Sequence, residues 1–142
     1  VVSTVFVKRG DGKNFVIVDG AMNDLIRPTL YEAWHDILSV NEAAREADYI
    51  TADVVGPVCE TGDYLAQERS IALPNAGDLL AIASAGAYGA VQASTYNSRL
   101  LVPEVLVNGR EFHVVRRRTT YEELLALDSV PPWLEETAEA AE

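Results

Sequence analysis

Three short motifs of this sequence carry side chains that could bind charge or move a proton. The motif "LIRPTLY" contains Arg27 and Tyr31, "GPVCETGD" contains Cys59 and Glu60, and "SAGAYGA" contains Tyr88. A guanidinium can bind a carboxylate through two parallel hydrogen bonds, and a thiol can act as an acid, a base or a nucleophile. Each motif could therefore contribute to a binding or catalytic site.

Cys59 is the only cysteine, and it lies in a turn-like segment next to a carboxylate. A lone cysteine is more often a small core residue than a reactive one. The charge of Glu60, if it is close in space, disfavours the thiolate, so Cys59 suits a proton donor better than a nucleophile. His35 and His113 fall in strand-like segments without partner spacing. A papain-like nucleophile and a metal site are disfavoured for that reason, and no metal is expected.

Two alternatives stay open for the other motifs. Arg27 and Tyr31 are four residues apart, so they can share a pocket if the segment is helical, or they can be a surface arginine over a packed tyrosine. The segment around Tyr88 follows a predicted strand and contains two glycines, so its backbone amides could bind phosphate. It lacks the lysine of a P-loop and could be an ordinary turn.

The pattern of short β-branched runs between turn signals predicts a mainly β fold, an antiparallel β-barrel or sandwich with a few short helices. Hairpin turns are expected at "GDGK" and at Asn108–Gly109. Thr120 and Glu123 predict the capped start of a helix, and "AVQASTYN" predicts another. "NEAAREAD" is expected to be a polar loop. The predicted strands are "VVSTVFVKR", "NFVIVDG", "AWHDILSV", "YITADVVGPV", residues 79–84 and the two arms of "PEVLVNGREFHVVRRR". The stretch "YLAQERSIALP" is expected to be a strand that ends in a loop at Pro74.

The length of 142 residues fits one domain, and the net charge of −11 argues against binding to nucleic acid or to an anionic membrane. A single cysteine fits a reducing, cytoplasmic compartment. The two lysines, Lys8 and Lys13, lie at a strand end and in a turn, so neither suits a Schiff base. The chain starts inside a strand-like segment, so we expect a piece of a longer protein. We expect residues 1–134 to form one β-domain and the acidic residues 135–142 to be a disordered tail.

Taken together and in order, "FVIVDGAMNDLIRPTLYEAWHDI", "GPVCETGDYLA" and "SAGAYGAVQASTYNSRLLVPEVLV" resemble the C-terminal β-domain of the diaminopimelate decarboxylases. These are pyridoxal-phosphate-dependent enzymes of the alanine racemase-like fold type. The resemblance covers residues 1–134, with Thr61 where the family usually has serine. It implies that this chain lacks the N-terminal (β/α)8 barrel, which carries the cofactor-binding lysine. It also implies that the chain lacks the strands that complete the β-domain. Exposed sheet edges are then expected.

The resemblance also implies a reaction and a role for each motif residue. The family converts meso-2,6-diaminopimelate to L-lysine and carbon dioxide, the last step of lysine biosynthesis. By motif match, Arg27 and Tyr31 bind the substrate, Glu60 recognises a substrate amino group, Cys59 donates a proton, and Tyr88 contacts both substrate and cofactor. Cys59 and Glu60 serve the neighbouring subunit's active site, which implies a homodimer. This chain alone is expected to be inactive.

Two other functions remain as alternatives. One is a related pyridoxal-phosphate-dependent decarboxylase acting on ornithine, lysine, arginine or carboxynorspermidine. The "RPTLY" segment favours the diaminopimelate enzyme, because a second substrate carboxylate requires a cation at that position. The other alternative is a non-catalytic β-barrel interaction module, which the missing Schiff-base lysine would suit.

Overall fold

The computed structural model describes residues 1–46 and 48–134, which fall into two units with a boundary between Arg99 and Leu100. Each unit is described by itself below. The single β-domain expected over residues 1–134 therefore stays a prediction. The tail expected at residues 135–142 lies outside the described residues.

A six-stranded sheet forms the first unit, with the strand order β3-β6-β1-β2-β4-β5. Neighbouring strands are antiparallel, except that β2 and β4 run parallel. The predicted hairpin at "GDGK" joins β1 to β2 and is confirmed. The strands are β1 (Val2–Lys8), β2 (Asn14–Val18), β3 (Ile37–Ser39), β4 (Tyr49–Val55), β5 (Tyr64–Ala72) and β6 (Leu79–Ile82).

The two edge strands of this sheet, β3 and β5, approach each other, so the sheet curls into a nearly closed barrel. Arg69 of β5 donates a hydrogen bond to the carbonyl oxygen of His35, just before β3, at 2.5 Å. Its guanidinium carbon also lies 3.2 Å from the centre of the Trp34 ring. Arg69 is buried, and these two contacts give its charged group partners at the closing edge. The predicted mainly β barrel is confirmed.

The inward-facing side chains of the strands, with Leu25 from the connection after β2, form one apolar core. In β2 the alternation is plain, since Val16 and Val18 are fully buried while Ile17 is only partly so. This is the period of two that a half-covered strand shows. The core residues are Val16, Val18, Leu25, Ile37, Ala52, Val54, Leu65, Ala66, Ile71 and Leu80.

The segment after β2 corrects part of the sequence prediction. Helix α1 spans Arg27–Tyr31, with Pro28 in its first turn, where a missing amide hydrogen costs nothing. Glu32 ends it with a left-handed backbone, φ 54°. The strand expected over "AWHDILSV" is only the three residues of β3, because only those pair with β6.

The segment after β6 differs more from the prediction. The strand ends at Ile82, and helix α2 spans Gly86–Gln92. The strand expected to reach residue 84 and the helix expected over "AVQASTYN" are therefore wrong in their bounds. Gly86 and Gly89 lie inside α2, so this segment is a helix and not a glycine turn. The loop expected at "NEAAREAD" contains a 3-10 helix, Glu42–Glu46.

The second unit contains a hairpin of β7 (Glu104–Asn108) and β8 (Glu111–Arg116), followed by helix α3 (Tyr121–Leu125). The turn residues are Gly109 and Arg110, one position later than predicted, and Gly109 has φ +61°. Glycine at the first of two turn positions suits a type II′ hairpin. The predicted capping box at the start of α3 is confirmed.

All of β8 and nearly all of β7 are exposed to solvent. A lone two-stranded hairpin is marginally stable in water, so this is the element that we expect to need a covering surface. No helix in the described parts of the chain combines the length and apolar character that a membrane span requires.

Candidate functional site

Three of the five predicted site residues form one cluster. The guanidinium carbon of Arg27 lies 5.0 Å from the centre of the Tyr88 ring and 5.8 Å from the centre of the Tyr31 ring. Both distances are in the range of a cation–π contact. Tyr31 and Tyr88 are more than half exposed, and Arg27 is half-buried. The cluster is therefore open to a ligand on its solvent side.

Two short helices bring these side chains together. Arg27 begins α1, and Tyr31 ends it one turn later on the same face. Tyr88 lies in α2, in which Gly89 is the buried residue. A Cβ atom at Gly89 would lie 3.5 Å from a methyl group of Leu25, two residues before Arg27. Position 89 of α2 therefore faces Leu25, close to the start of α1.

Arg27 carries a charge that no acid neutralises within residues 1–46 and 48–134. The arginines paired with acids there are Arg45, Arg99, Arg116 and Arg117, and the contacts of the Arg27 guanidinium are the two tyrosine rings. A half-buried guanidinium without a counter-ion, flanked by phenol groups, is suited to a carboxylate or phosphate ligand.

Cys59 and Glu60 lie in the eight-residue loop 56–63 that joins β4 to β5. Both side chains are exposed, and the Cys59 thiol is free. The loop is tightly folded, since the amide of Glu60 donates to the carbonyl oxygen of Val58 at 2.8 Å. The amide of Asp63 donates in turn to the carbonyl oxygen of Glu60 at 3.0 Å. Backbone hydrogen bonds thus hold the two exposed side chains at the loop tip.

Asp63 fixes this loop to the rest of the first unit. Its buried carboxylate accepts hydrogen bonds from the amides of Met22 and Val58, both at 2.6 Å. Met22 lies in the connection that leads into α1. The carboxylate therefore ties the segment that carries Cys59 to the segment that carries Arg27, and short hydrogen bonds from amides to a charged acceptor are strong ones.

Two glycines make room for these contacts. A Cβ atom at Gly56 would lie 2.4 Å from a carboxylate oxygen of Asp63 and 2.7 Å from the carbonyl oxygen of Gly20. At Gly62 it would lie 2.8 Å from the methyl group of Thr29. The hydroxyl of Thr29, in the middle of α1, donates to the carbonyl oxygen of Gly62. The loop thus touches α1 directly, through backbone.

The structure does not bring the two groups of predicted residues into one contact. In the described part of the chain, no hydrogen bond or ion pair joins Cys59 or Glu60 to Arg27, Tyr31 or Tyr88. The side-chain partner of Glu60 is instead Tyr96, whose hydroxyl lies 3.3 Å from a carboxylate oxygen. The loop and the cluster therefore share supports, through Met22 and Thr29, without a direct hydrogen bond between their predicted site residues in the described part of the chain.

Neither lysine is placed to hold a carbonyl cofactor. Lys13 pairs with Asp53 at 2.7 Å, and the hydrogen bond from that carboxylate raises the pKa of Lys13. A nucleophilic amine needs the opposite shift. Lys8 is exposed at the end of β1. Among residues 1–46 and 48–134, no three His, Cys, Asp or Glu side chains group closely enough to hold a metal ion.

Sequence reasoning missed several residues that support the site. Asp63 and Gly56 flank the loop, and their glycine and aspartate types signal a turn. Thr29 and Tyr96 gave no signal, because their partners are 33 and 36 residues away. His35, which the sequence patterns assign to no site, is buried, and its Nδ1 lies 3.1 Å from the carbonyl oxygen of Ala83.

Curated relatives and solved structures resemble most of this chain. A diaminopimelate decarboxylase of Neisseria meningitidis is 54% identical over 85% of the chain, and one of Pseudomonas aeruginosa is 54% identical over 89%. The crystal structure of diaminopimelate decarboxylase from Helicobacter pylori complexed with L-lysine superposes with a TM-score of 0.80 at 37% identity, over 89% of the chain. The chain spans only 28%, 30% and 30% of the lengths of these three proteins.

The first unit carries the family signature. Residues 1–86 match the family described as pyridoxal-dependent decarboxylase, C-terminal sheet domain. That stretch includes all six strands of the barrel, the helix with Arg27 and the loop with Cys59 and Glu60. The chain therefore belongs to the pyridoxal-dependent decarboxylases and carries their C-terminal sheet domain.

Proposed function

We propose that this chain is the C-terminal part of a diaminopimelate decarboxylase, which releases carbon dioxide from meso-2,6-diaminopimelate and yields L-lysine. The relatives that match at 54% identity carry that name, and one solved relative is complexed with L-lysine. The observation that carries the proposal is the unneutralised guanidinium of Arg27 between two exposed tyrosines. A substrate with a second carboxylate has a group that such a cation can bind.

The residues of this chain fit the surroundings of pyridoxal phosphate but do not supply its anchor. Tyr88 offers an exposed phenol, and Arg27 offers a positive charge, both suited to an anionic group. Lys13 is paired with Asp53, and Lys8 is exposed at the end of β1. The Schiff-base lysine therefore belongs to another part of the enzyme. Bound pyridoxal phosphate supplies the electron sink that decarboxylation requires.

We take the remaining roles from the match of the motifs to the family. Arg27 holds the carboxylate that the substrate keeps, and Tyr31 lines the same pocket. Glu60 accepts hydrogen bonds from the ammonium group at that end. The bond between the α-carbon and the leaving carboxylate breaks, and the Cys59 thiol then donates a proton to that α-carbon. Two oppositely charged groups at one substrate end reject diamines and monocarboxylates, because one group is then left unpaired.

We extend the proposal to a homodimer with shared active sites. Cys59 and Glu60 stand exposed at a loop tip, and among the described residues no hydrogen bond or ion pair joins them to Arg27, Tyr31 or Tyr88. The loop is well placed to complete a site on another subunit, while Arg27 and Tyr88 serve the site of their own. The single cysteine is free, which suits a reducing compartment, so we place the enzyme in the cytoplasm.

Replacing Arg27 tests the proposal in the full-length enzyme. We expect Arg27→Met to lower kcat/KM for meso-diaminopimelate by about 10²-fold or more, because it leaves a substrate carboxylate unpaired. Arg110→Met, at the exposed hairpin turn, is the matched control and should leave kcat/KM unchanged. The measurement is carbon dioxide release with meso-diaminopimelate and with L-ornithine as competing substrates. A preference for ornithine would show that the related decarboxylase activity is the correct one.

A further inference from the structure

The hydrogen bond between Tyr96 and Glu60 joins two segments that are far apart in sequence. The hydroxyl of Tyr96 lies 3.3 Å from Oε2 of Glu60, and the tyrosine ring is about half exposed. A phenol is neutral, so it donates to the carboxylate without cancelling its charge. One oxygen of Glu60 is thereby oriented, and the other remains free to accept from a ligand.

Residues on both sides of Tyr96 are anchored to one buried residue. Asn23 is 2% exposed, and its side-chain amide donates to the carbonyl oxygen of Ser94 at 3.1 Å. The amide of Ser94 returns a hydrogen bond to the carbonyl oxygen of Asn23 at 2.9 Å. On the other side, Nε of Arg99 donates to Oδ1 of Asn23 at 2.8 Å. Tyr96 thus lies in a short segment pinned at both ends.

Further contacts hold this segment in an uncommon conformation. Arg99 also donates to the carbonyl oxygen of Asp19 at 2.5 Å and pairs with Asp24 at 3.5 Å. Asn97 and Ser98 both have left-handed backbones, with φ of 56° and 55°. Non-glycine residues adopt this region at a cost, and they keep it where the surrounding structure fixes them. The segment is therefore built to present Tyr96 in one place.

The other side of the bond is fixed as well. The Glu60 loop is held by the Asp63 carboxylate and by the hydroxyl of Thr29. The Tyr96 segment and the Glu60 loop are thus both held, and the hydrogen bond between them restrains the exposed Glu60 carboxylate. Holding a binding group in its productive geometry before the ligand arrives reduces the entropy lost on binding.

We propose that Tyr96 is a positioning residue that orients the Glu60 carboxylate toward the substrate ammonium group. This inference rests on the proposed function, in which Glu60 reads that ammonium group. Its effect belongs to substrate binding and not to proton transfer, since Tyr96 contacts Glu60 and makes no hydrogen bond to Cys59.

A double-mutant cycle in the full-length enzyme with bound pyridoxal phosphate tests the inference. Tyr96→Phe removes only the hydroxyl and is expected to raise KM for meso-diaminopimelate by about 3- to 10-fold, the range for one hydrogen bond, with kcat nearly unchanged. In the Glu60→Ala background the same change should alter KM by less than about twofold. Tyr49→Phe is the matched control, because it removes an exposed phenol whose hydroxyl lies 3.2 Å from the carbonyl oxygen of Arg45. It should leave KM unchanged.

The outcomes separate the inference from the function on which it rests. If Glu60→Ala raises KM but Tyr96→Phe does not, or if the two effects simply add, Tyr96 does not act through Glu60 and the inference is wrong. If Glu60→Ala leaves KM unchanged, the proposed role of Glu60 fails and the inference falls with it. Melting temperatures of all variants show whether a change in KM reflects unfolding, and a crystal structure of Tyr96→Phe shows directly whether Glu60 has turned.

Discussion

The Asp63 carboxylate makes the contacts that shape the loop carrying Cys59 and Glu60. Two amide donors at 2.6 Å and a buried position leave it little freedom. An exposed thiol at a loop tip can act reproducibly only if the backbone under it is held, and Asp63 provides that support from four residues away. Gly56 is part of the same arrangement, because its missing side chain leaves the space that the Asp63 oxygens fill.

Adding one methyl group at Gly56 tests this packing. A Cβ atom there would overlap the Asp63 carboxylate and the carbonyl oxygen of Gly20. We expect Gly56→Ala to lower the free energy of unfolding by about 2–3 kcal/mol, the cost of overpacking. Gly12→Ala is the matched control, since nothing lies within 4 Å of a Cβ atom there. It should leave stability the same or raise it by about 0.4–1 kcal/mol. Urea unfolding of the chain followed by circular dichroism measures both, and equal effects would contradict the role of Gly56.

Local elements with their own signals could be predicted from sequence. The capping box of Thr120 and Glu123 and the hairpin before it depend on neighbouring residues, and both form, although the hairpin turn lies one position later than expected. The bounds of strand β3 were harder to predict, because β3 exists only through pairing with β6, more than 40 residues away. The bounds of α2 were also missed, because Gly86 and Gly89 are residue types that favour a turn, whereas both lie inside the helix.

The start of α3 carries an ion pair that gives the second unit a defined response to acid. Arg117 binds the carboxylate of Glu123 through two nitrogens, one of them at 2.8 Å. The hydrogen bond from Arg117, together with one from the backbone amide of Thr120, lowers the pKa of Glu123 from 4.5 to about 2. A pKa lowered on folding stabilises the folded state above the unfolded value of about 4.5. That stabilisation is lost as the pH falls toward 2.

An NMR titration of the Glu123 side-chain carboxyl carbon measures this effect directly. We expect a midpoint near 2 in the unsubstituted chain, because the ion pair must be broken to protonate the group. In Arg117→Leu the midpoint should move up toward 4.5, since the hydrogen bond from Arg117 is the largest cause of the shift. A midpoint near 4.5 without the substitution would show that the ion pair does not form in solution.

At the scale of the whole molecule, the sequence indicates the residues of the site but not how they are connected. Motif matching named Arg27, Tyr31 and Tyr88, and the structure places these three together. The hydrogen bonds of Asp63, Thr29 and Tyr96 join segments that are distant in sequence, so no local sequence pattern predicts them. The barrel class follows from many short strands, whereas its closure by Arg69 and His35 depends on two edges that meet only in three dimensions.

The central proposal is that Cys59 and Arg27 of one chain work in two different active sites of a homodimer. Alone, each of Cys59→Ala and Arg27→Met should lower turnover of meso-diaminopimelate by full-length enzyme by about 10²-fold or more. A mixed dimer of the two variants then has one site with both substitutions and one site with neither.

Turnover of that mixed dimer is the most direct test. The two variants are co-expressed with different affinity tags, the mixed dimer is purified through both tags, and carbon dioxide release from meso-diaminopimelate is measured. We expect about half of the wild-type turnover, since one of two sites is intact. If the mixed dimer is as inactive as the two homodimers that carry a single substitution, Cys59 and Arg27 of one chain serve the same active site. That result would contradict the account.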